Sequence, residues 1–194
     1  MEAAAHWLPE PRIKREHLPH YLIAESGTPE DREKRRADVG KSSGESYAAT
    51  LRQMVPDCGI TIAAPSDEDG GYQDRQDIAQ YDAVFITGSP LHVYDTSPAV
   101  ERQLGFMRAV FSAGTPSFGS CAGLQVAVAA AGGKVRKMMP RLEAGISRRI
   151  TAAPDMAGHP LLQGRPLVWD APALHGDEVE ALPTGAKLLA GNDI

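Results

Sequence analysis

The sequence predicts an α/β fold with a mostly parallel central sheet flanked by helices, because strand-like and helix-like segments alternate along the chain. Short apolar runs that end at glycine, serine or proline are typical of buried strands, and segments with apolar residues three or four apart lie between them. Such alternation builds βαβ units, whose strands pair in parallel. The chain contains no internal repeat and no disulfide framework that would indicate another class.

Apolar runs at four places predict the strands of this sheet. Residues 21–24 precede a Ser-Gly closure, residues 59–64 are rich in β-branched side chains, and residues 83–87 end at Gly-Ser-Pro. The fourth run, residues 116–119, leads into a turn that contains Cys121. Three later runs predict further strands at 146–151, 167–170 and 186–190.

The clearest predicted helix begins after Ser97 and ends at Gly114. Serine is a favoured cap, proline is favoured at the first helical position, and glycine closes many helices. The predicted buried face contains Val100, Leu104, Met107 and Phe111. Residues 43–55 are also periodic, whereas the charge run at 30–36 has no apolar stripe and predicts a solvated helix face or a loop.

Length and composition favour one domain and exclude several classes of function. The 194 residues include 20 Lys and Arg against 25 Asp and Glu, which gives a net charge of −5. This weak acidity does not attract nucleic acid or anionic lipid, and no apolar run reaches the roughly 18 residues that cross a bilayer. We expect an irregular arm at residues 1–19 and a single domain at residues 20–194. Two cysteines without a disulfide framework favour a cytoplasmic thiol protein.

Cys121 lies in the segment that says most about function. A short strand, a tight turn and a helix start surround it, and glycines at positions 119 and 123 stand two residues away on either side. This pattern predicts a nucleophile elbow, where strained backbone angles lift the central side chain above the sheet. The helix amino terminus stabilises a thiolate there, and the N–H of Ala122 faces an oxyanion. Gly88, after the third strand, supplies a second donor.

Other candidate residues carry weaker signals. Cys58 precedes a predicted strand and is expected to be a small buried side chain. His159 and Pro160 predict a short helix or turn. The histidines show no convincing metal-ligand spacing, so no metal site is predicted.

Four segments, in order, resemble class I, triad-type glutamine amidotransferases of the GMP-synthetase-like branch, and the stand-alone type 1 proteins above all. Residues 119–125, Gly-Ser-Cys-Ala-Gly-Leu-Gln, are similar to the family's G-x-C-x-G-x-Q nucleophile motif. Residues 82–95 resemble its oxyanion strand and loop, and residues 142–145 resemble the stretch before its glutamine-facing strand. Residues 175–179, His-Gly-Asp-Glu-Val, with a later Leu-Pro, resemble its H-G-D-x-V…P segment.

The resemblance implies a flavodoxin-like fold and a glutaminase half-reaction. In that reaction Cys121 attacks the side-chain amide of glutamine, ammonia leaves, and water releases glutamate from a γ-glutamyl thioester. The backbones of Gly88 and Ala122 form the oxyanion hole. The implied substrate pocket contains Ser89, Gln125 and His175. The implied partners are glutamine or another γ-glutamyl compound and an ammonia-accepting protein, and no cofactor is implied.

The sequence departs from the family at its general base. The family's His-Pro-Glu motif is absent, and His159-Pro160-Leu161 lacks the acid. We expect truncation rather than degeneracy, because the sequence stops before the expected closing strand and helix, and we expect little turnover from these residues. His175, oriented by Glu178 or Asp177, is one substitute base, and a pocket-lining residue or a structural turn are its alternatives.

Two further functions stay open beside glutamine hydrolysis. A γ-glutamyl hydrolase would use the same fold and the same bond chemistry on a different substrate. A non-catalytic binding or regulatory subunit is the prediction that follows if the His and Glu are truly lost.

Overall fold

The computed structural model describes residues 18–70, 75–139 and 142–192, so most of the predicted arm at residues 1–19 lies outside the described residues. Four strands form a parallel sheet in the order β2-β1-β3-β4. These strands are β1 (His20–Ala24), β2 (Gly59–Ala63), β3 (Ala83–Ile86) and β4 (Ser117–Gly119). The predicted parallel sheet and its four strand positions are confirmed.

Helices cover both faces of this sheet. They are α1 (Pro29–Val39), α2 (Ser43–Met54), α3 (Arg75–Ile78), α4 (Pro98–Ala113) and α5 (Ala122–Ala130). The charge run predicted as a helix face or loop is helix α1, which buries none of its residues. Its ends explain why it forms, because Thr28 and Asp31 make a reciprocal capping box and Gly40 closes it with a positive φ of 78°.

The predicted limits of α4 are confirmed, but one residue of its predicted buried face is wrong. The Ser97 side chain accepts a hydrogen bond from the Val100 N–H, and Gly114 ends the helix in the left-handed region. Phe111 is 45% exposed, whereas Phe106 and Val110 are buried. The buried face of α4 therefore includes Phe106 and Val110 in addition to the three predicted residues that are buried, and Phe111 lies at the edge of this face.

The apolar core lies on both sides of the central strand β1. Leu22 belongs to the larger cluster, which includes residues of α4 and α5, whereas Ile23 belongs to a smaller cluster with Leu51 of α2. Adjacent strand residues point to opposite faces of a sheet, so one strand contributes to both layers. Cys58 is buried in the smaller cluster, which confirms the predicted small buried side chain.

Antiparallel strands follow the parallel sheet. β5 (Lys134–Lys137) pairs with β8 (Asp177–Ala181), and β6 (Glu143–Ala152) lies between β7 (Val168–His175) and β9 (Ala190–Gly191). The strand predicted at 186–190 was wrong in extent, because only β9 pairs there, and β5 and β8 were not predicted. The predicted turn at His159 is a short 3-10 helix, Pro160–Leu162.

Charge pairs across the strands explain why the apolar pattern missed β5 and β8. Arg136 donates hydrogen bonds to Glu178 at 2.8 Å and to Glu180 at 3.2 Å. The hydrogen bond with Glu178 is the main reason that the pKa of Arg136 is raised. Charged residues thus dominate both strands, and the two strands contain too few apolar residues to show the alternation that predicts a strand.

No helix within the described ranges is both long enough and apolar enough to cross a membrane.

Candidate active site

Cys121 occupies a strained turn between β4 and α5. Its φ is 51° and its ψ is −117°, a backbone conformation that residues with a side chain rarely adopt. The turn is tied to the neighbouring strand, because the Ser120 N–H donates to the carbonyl of Ile86 at 3.1 Å. The Cys121 side chain is exposed above the carboxyl edge of the sheet. The predicted strand-to-helix turn is present.

Both flanking glycines are required by close backbone packing. A Cβ added to Gly119 would lie 2.5 Å from the carbonyl carbon of Gly123, and a Cβ added to Gly123 would lie 2.4 Å from the carbonyl oxygen of Ile86. Real Cβ atoms do not approach backbone so closely, so a side chain at either position would force the turn apart. The glycine spacing read from the sequence thus has a steric cause.

Two backbone N–H groups near Cys121 have no acceptor within the part of the chain that the structure describes. No described residue accepts a hydrogen bond from the N–H of Gly88 or of Ala122. Ala122 is the first residue of α5, where helical N–H groups have no intrahelical partner. A Cβ on Gly88 would lie 3.4 Å from the Cβ of Cys121, so the loop after β3 packs directly against the cysteine.

Two cavities meet at Cys121. The first, called here the His cavity, has a volume of about 340 Å³ and is lined by Ser89, His92, Gln125 and His175 together with Cys121. The three residues of the implied substrate pocket are therefore brought together beside the cysteine. The second, called here the Glu25 cavity, has a volume of about 630 Å³, runs along α1, and is lined by Glu25, Tyr47 and Gly88 as well as Cys121.

His175 has a different partner from those predicted. Its Nε2 lies 2.9 Å from Oε2 of Glu143, and its Nδ1 lies 3.0 Å from the backbone carbonyl oxygen of Asp177. The predicted orienting carboxylates are engaged elsewhere, since Glu178 accepts from Arg136 and the Asp177 carboxylate faces another histidine. The Nδ1 thus faces a carbonyl oxygen, and the Nε2 faces the carboxylate of Glu143 instead of either predicted orienting residue.

Asp177 joins the loop after β3 to the turn between β7 and β8. Its carboxylate is 6% exposed, lies 2.6 Å from Nδ1 of His92, and accepts a hydrogen bond from the Tyr94 hydroxyl at 2.9 Å. Its backbone carbonyl also accepts from the Gln125 side chain at 3.3 Å. Burial raises the pKa of Tyr94 to about 12, and the hydrogen bond to Asp177 adds to this shift. Tyr94 therefore stays a donor at neutral pH.

Sequence reasoning did not identify Glu25 or Tyr47. Glu25 follows β1, is only 3% exposed, and its Oε1 accepts the Gly44 N–H at 2.8 Å, near the start of α2. The Tyr47 hydroxyl is hydrogen-bonded to the hydroxyl of Ser120, the residue before Cys121. The available signal was topological, because residues that follow parallel strands meet at the carboxyl edge of the sheet.

Within the described residues, no group of three or more His, Cys, Asp or Glu side chains is arranged to hold a metal ion.

A cysteine at a strained strand-to-helix turn, above the carboxyl edge of a parallel sheet, defines an α/β protein of the nucleophile-elbow class. The family model "Glutamine amidotransferase class-I" matches residues 37–193, and the chain belongs to this family.

Relatives with assigned activities cover much of the chain. The gamma-glutamyl-L-1-hydroxyisopropylamide hydrolase of Pseudomonas sp is 34% identical over 177 residues, which is 88% of this chain and 58% of that protein. The glutamine-hydrolysing GMP synthase of Porphyromonas gingivalis strain W83 is 34% identical over 156 residues, which is 80% of this chain and 28% of that protein. The chain thus spans less than two thirds of the length of either relative.

Solved structures support the fold. A glutamine amidotransferase from Thermotoga maritima matches with a TM-score of 0.66 at 14% identity, over 91% of this chain and 68% of that one. A glutamine amidotransferase from Methylobacillus flagellatus matches with a TM-score of 0.64 at 17% identity, over 91% of this chain and 63% of that one.

Proposed function

We propose that this chain carries the nucleophile of an enzyme that hydrolyses the side-chain amide of glutamine, or of another γ-glutamyl amide, through a thioester on Cys121. The observation that carries the proposal is the strained, exposed Cys121, beside which the N–H groups of Gly88 and Ala122 have no acceptor among the described residues. That arrangement suits acyl transfer, because the charge that develops on a carbonyl oxygen needs preorganised donors.

The proposed reaction forms a thioester on Cys121 and then hydrolyses it. The sulfur of Cys121 attacks the amide carbon, and the carbonyl oxygen gains negative charge between the N–H groups of Gly88 and Ala122. The carbon–nitrogen bond breaks, and the proton of the thiol leaves on the departing ammonia or amine. Water then attacks the thioester, which releases glutamate and restores the thiol. By analogy with measured oxyanion holes, one lost donor would slow acyl transfer about 10²–10³-fold.

The proton acceptor limits the expected rate. The 194 residues contain no His-Pro-Glu motif, and the ring nitrogens of His175 face the Asp177 carbonyl and the Glu143 carboxylate. We therefore predict little turnover by these residues, although the Cys121 sulfur should still react with an electrophile bound in the pocket.

The relatives support the substrate class. The names of the two relatives have in common the hydrolysis of glutamine or of a γ-glutamyl amide. We propose a γ-glutamyl amide of a small amine as the second candidate substrate, because the relative that covers 88% of the chain is named for such a compound. A substrate panel separates the two candidates, since the bond that breaks is of the same kind.

Covalent labelling tests the proposal without requiring turnover. A diazoketone analogue of glutamine should label Cys121 faster than a free thiol, glutamine should protect it, and Cys58 should stay unlabelled because it is buried. Peptide mass spectrometry identifies the modified residue.

Glutamate release completes the test. Release from glutamine should depend on Cys121 and disappear in Cys121→Ala. Release that exceeds the protein-free rate and is equal for the two proteins would contradict the proposal, and labelling slower than a free thiol would favour the non-catalytic binding subunit.

A further inference from the structure

We propose that the Glu25 cavity binds the amine half of the substrate, and that Glu25 selects γ-glutamyl amides whose amine carries a second hydrogen-bond donor, a hydroxyl or an ammonium. The inference rests on the proposed function, because it presumes that an amide is held at Cys121.

Cys121 lies between the two cavities, so the two substituents of an amide bound at its sulfur would enter different cavities. Cys121, Ser89 and Pro90 line both cavities, so a carbonyl held over the sulfur would direct one substituent into each. The His cavity contains the residues assigned above to the glutamyl group. The other substituent of the amide, which is the amine that leaves, therefore points toward the Glu25 cavity.

The volume of the Glu25 cavity exceeds what ammonia needs. At about 630 Å³ it is larger than the His cavity, at about 340 Å³. Cavities of roughly 300–1,000 Å³ accommodate organic ligands. The geometry thus provides space for an amine with a carbon substituent on the leaving side of Cys121.

Glu25 is the buried charge in the lining of this cavity. Its Oε1 accepts the Gly44 N–H at 2.8 Å, while no described residue donates a hydrogen bond to its Oε2. A carboxylate oxygen at the wall of a cavity is solvated by water, and a ligand that displaces this water must donate to the oxygen to keep the charge satisfied. An apolar substituent would instead leave the oxygen without a partner.

Neighbouring charges do not take this role from Glu25. Arg32 lines the same cavity, but its guanidinium is bound to Asp67 at 2.6 and 3.0 Å and to the Gly27 carbonyl at 2.6 Å. Arg36 is engaged first with Glu45, whose hydrogen bond is the main reason that its pKa is raised, and the charge of Glu25 contributes less. Lys34 and Arg35 also line the cavity, but both are exposed, and no described hydrogen bond or ion pair joins either of them to Glu25. The Glu25 Oε2 is thus left for a donor from a ligand.

The proposed role fits a balanced acyl transfer. The bond from the γ-carbon to nitrogen breaks as the bond from that carbon to sulfur forms, and the thiol proton goes to the departing nitrogen. The free amine then keeps its second donor on Glu25 while it leaves through the Glu25 cavity, away from the thioester.

Binding to the Cys121→Ala protein tests the inference, because binding requires no catalytic base. Three ligands with equal numbers of non-hydrogen atoms differ only at the end of the amine: γ-glutamyl propylamide, γ-glutamyl ethanolamide and mono-γ-glutamyl ethylenediamine. Calorimetry should give dissociation constants about tenfold or more lower for the hydroxyl and ammonium ligands than for the propylamide. Equal constants for the three ligands, or no binding of any of them, would overturn the inference.

A substitution assigns the effect to Glu25. Glu25→Gln replaces one carboxylate oxygen by an NH₂ group, so the ratio of the propylamide to the ethylenediamine dissociation constant should fall to about one. Glu33→Gln is the matched control, because Glu33 is an exposed carboxylate of α1 outside the lining, and this variant should keep the ratio. If Glu25→Gln does not fold, the three ligands alone decide the result.

Two outcomes separate failure of the inference from failure of the proposed function. Glutamate release that does not depend on Cys121 would contradict the hydrolysis but would not alter the ligand series. If Glu25→Gln instead removes the discrimination between glutamine and its des-amino analogue, Glu25 binds the α-ammonium and the assignment of the two cavities is reversed.

Discussion

The parallel region, residues 18–131, and the antiparallel region, residues 134–192, are built in different ways. Both apolar clusters lie in the parallel region, where Leu22 is fully buried. In the antiparallel region the buried described residues are few, namely Met138, Ser147 and Asp177, and Leu167 is 85% exposed. The turn that carries Cys121 therefore stands on packed apolar side chains, while the opposite wall of the His cavity depends on polar contacts.

This difference has a consequence for stability and motion. Burial of apolar surface is the dominant favourable contribution to folding, so the parallel region should hold most of the free energy of unfolding. Segments with few buried apolar contacts open at lower free energy than the core does. The pairs formed by His175 with Glu143 and by Asp177 with His92 are thus expected to move more readily than the elbow.

Truncation of one leucine in each region gives the largest expected contrast. Leu22→Ala should lower the free energy of unfolding by about 2–5 kcal/mol, because it removes buried methyl groups and leaves a cavity. Leu167→Ala should change it by no more than about 0.5 kcal/mol, because the side chain is already in solvent. Urea unfolding measures both changes. An equal loss for Leu167→Ala would contradict the expectation that the parallel region holds most of the free energy of unfolding.

A methyl group added to the elbow should have a smaller but local effect. Gly123→Ala should cost about 1–3 kcal/mol, because the new Cβ would meet the carbonyl oxygen of Ile86 at 2.4 Å. It should also slow labelling of Cys121 by the diazoketone. Gly105→Ala is the control, because nothing lies within 4 Å of its added Cβ.

The Gly105→Ala control should change the free energy of unfolding in the opposite direction. Alanine at position 105 in α4 should stabilise the protein by about 1 kcal/mol through helix propensity. If Gly105→Ala were as damaging as Gly123→Ala, the steric account of the elbow would be wrong.

Neutralisation of Asp177 should weaken the joint between the two regions. Asp177→Asn should cost about 1–3 kcal/mol, because His92 and Tyr94 lose a charged buried partner. The phenol of Tyr94 should begin to ionise at lower pH, since the hydrogen bond and charge that help to raise its pKa to about 12 are removed. Ultraviolet absorbance follows this ionisation, with Tyr94→Phe to assign the signal.

The control for Asp177→Asn is Glu180→Gln, a substitution in the same strand, β8. Glu180→Gln removes an exposed ion pair with Arg136 and should cost at most about 1 kcal/mol. It should leave the Tyr94 titration unchanged, and a shift of that titration in Glu180→Gln would argue against Asp177 as its cause.

The smallest expected effect is the contribution of Glu45, in the capping box of α2, to the pH dependence of the free energy of unfolding. The pKa of Glu45 is lowered, chiefly by the hydrogen bond from the Ser42 N–H. A lowered folded-state pKa favours the charged form, so this stabilisation is complete above the ordinary value of 4.5 and is lost as pH falls through the lowered one. Glu45→Gln should therefore flatten the pH dependence of unfolding in this acid range, whereas Glu33→Gln should not.

Local chemistry in the sequence was sufficient to predict the strand-to-helix turn that carries Cys121. Glycines two residues from Cys121, a preceding strand and a following helix describe one continuous turn, and such a turn depends on neighbours in the chain. The position of Gly88 followed from the same logic, because the loop after a parallel strand lies at the same sheet edge. The face of α4 was predicted less well, since periodicity alone did not distinguish Phe111 from Val110 as the buried position.

The remaining residues of the site were beyond the reach of the sequence for a physical reason. His92 meets Asp177 across 85 positions, and Glu143 takes the place predicted for Glu178 beside His175. Such pairings depend on strand register, where a shift by one residue turns every side chain to the other face.

The sequence by itself thus determined the alternation of strands and helices, the caps of α4 and the glycine-flanked turn that presents Cys121, because these follow from interactions between near neighbours. The burial of Glu25 at one cavity, and the contacts of His175 with Glu143 and Asp177 at the other, became visible only in the folded chain. Those properties arise from burial and from contacts between distant segments, and neither exists until the sheets are assembled.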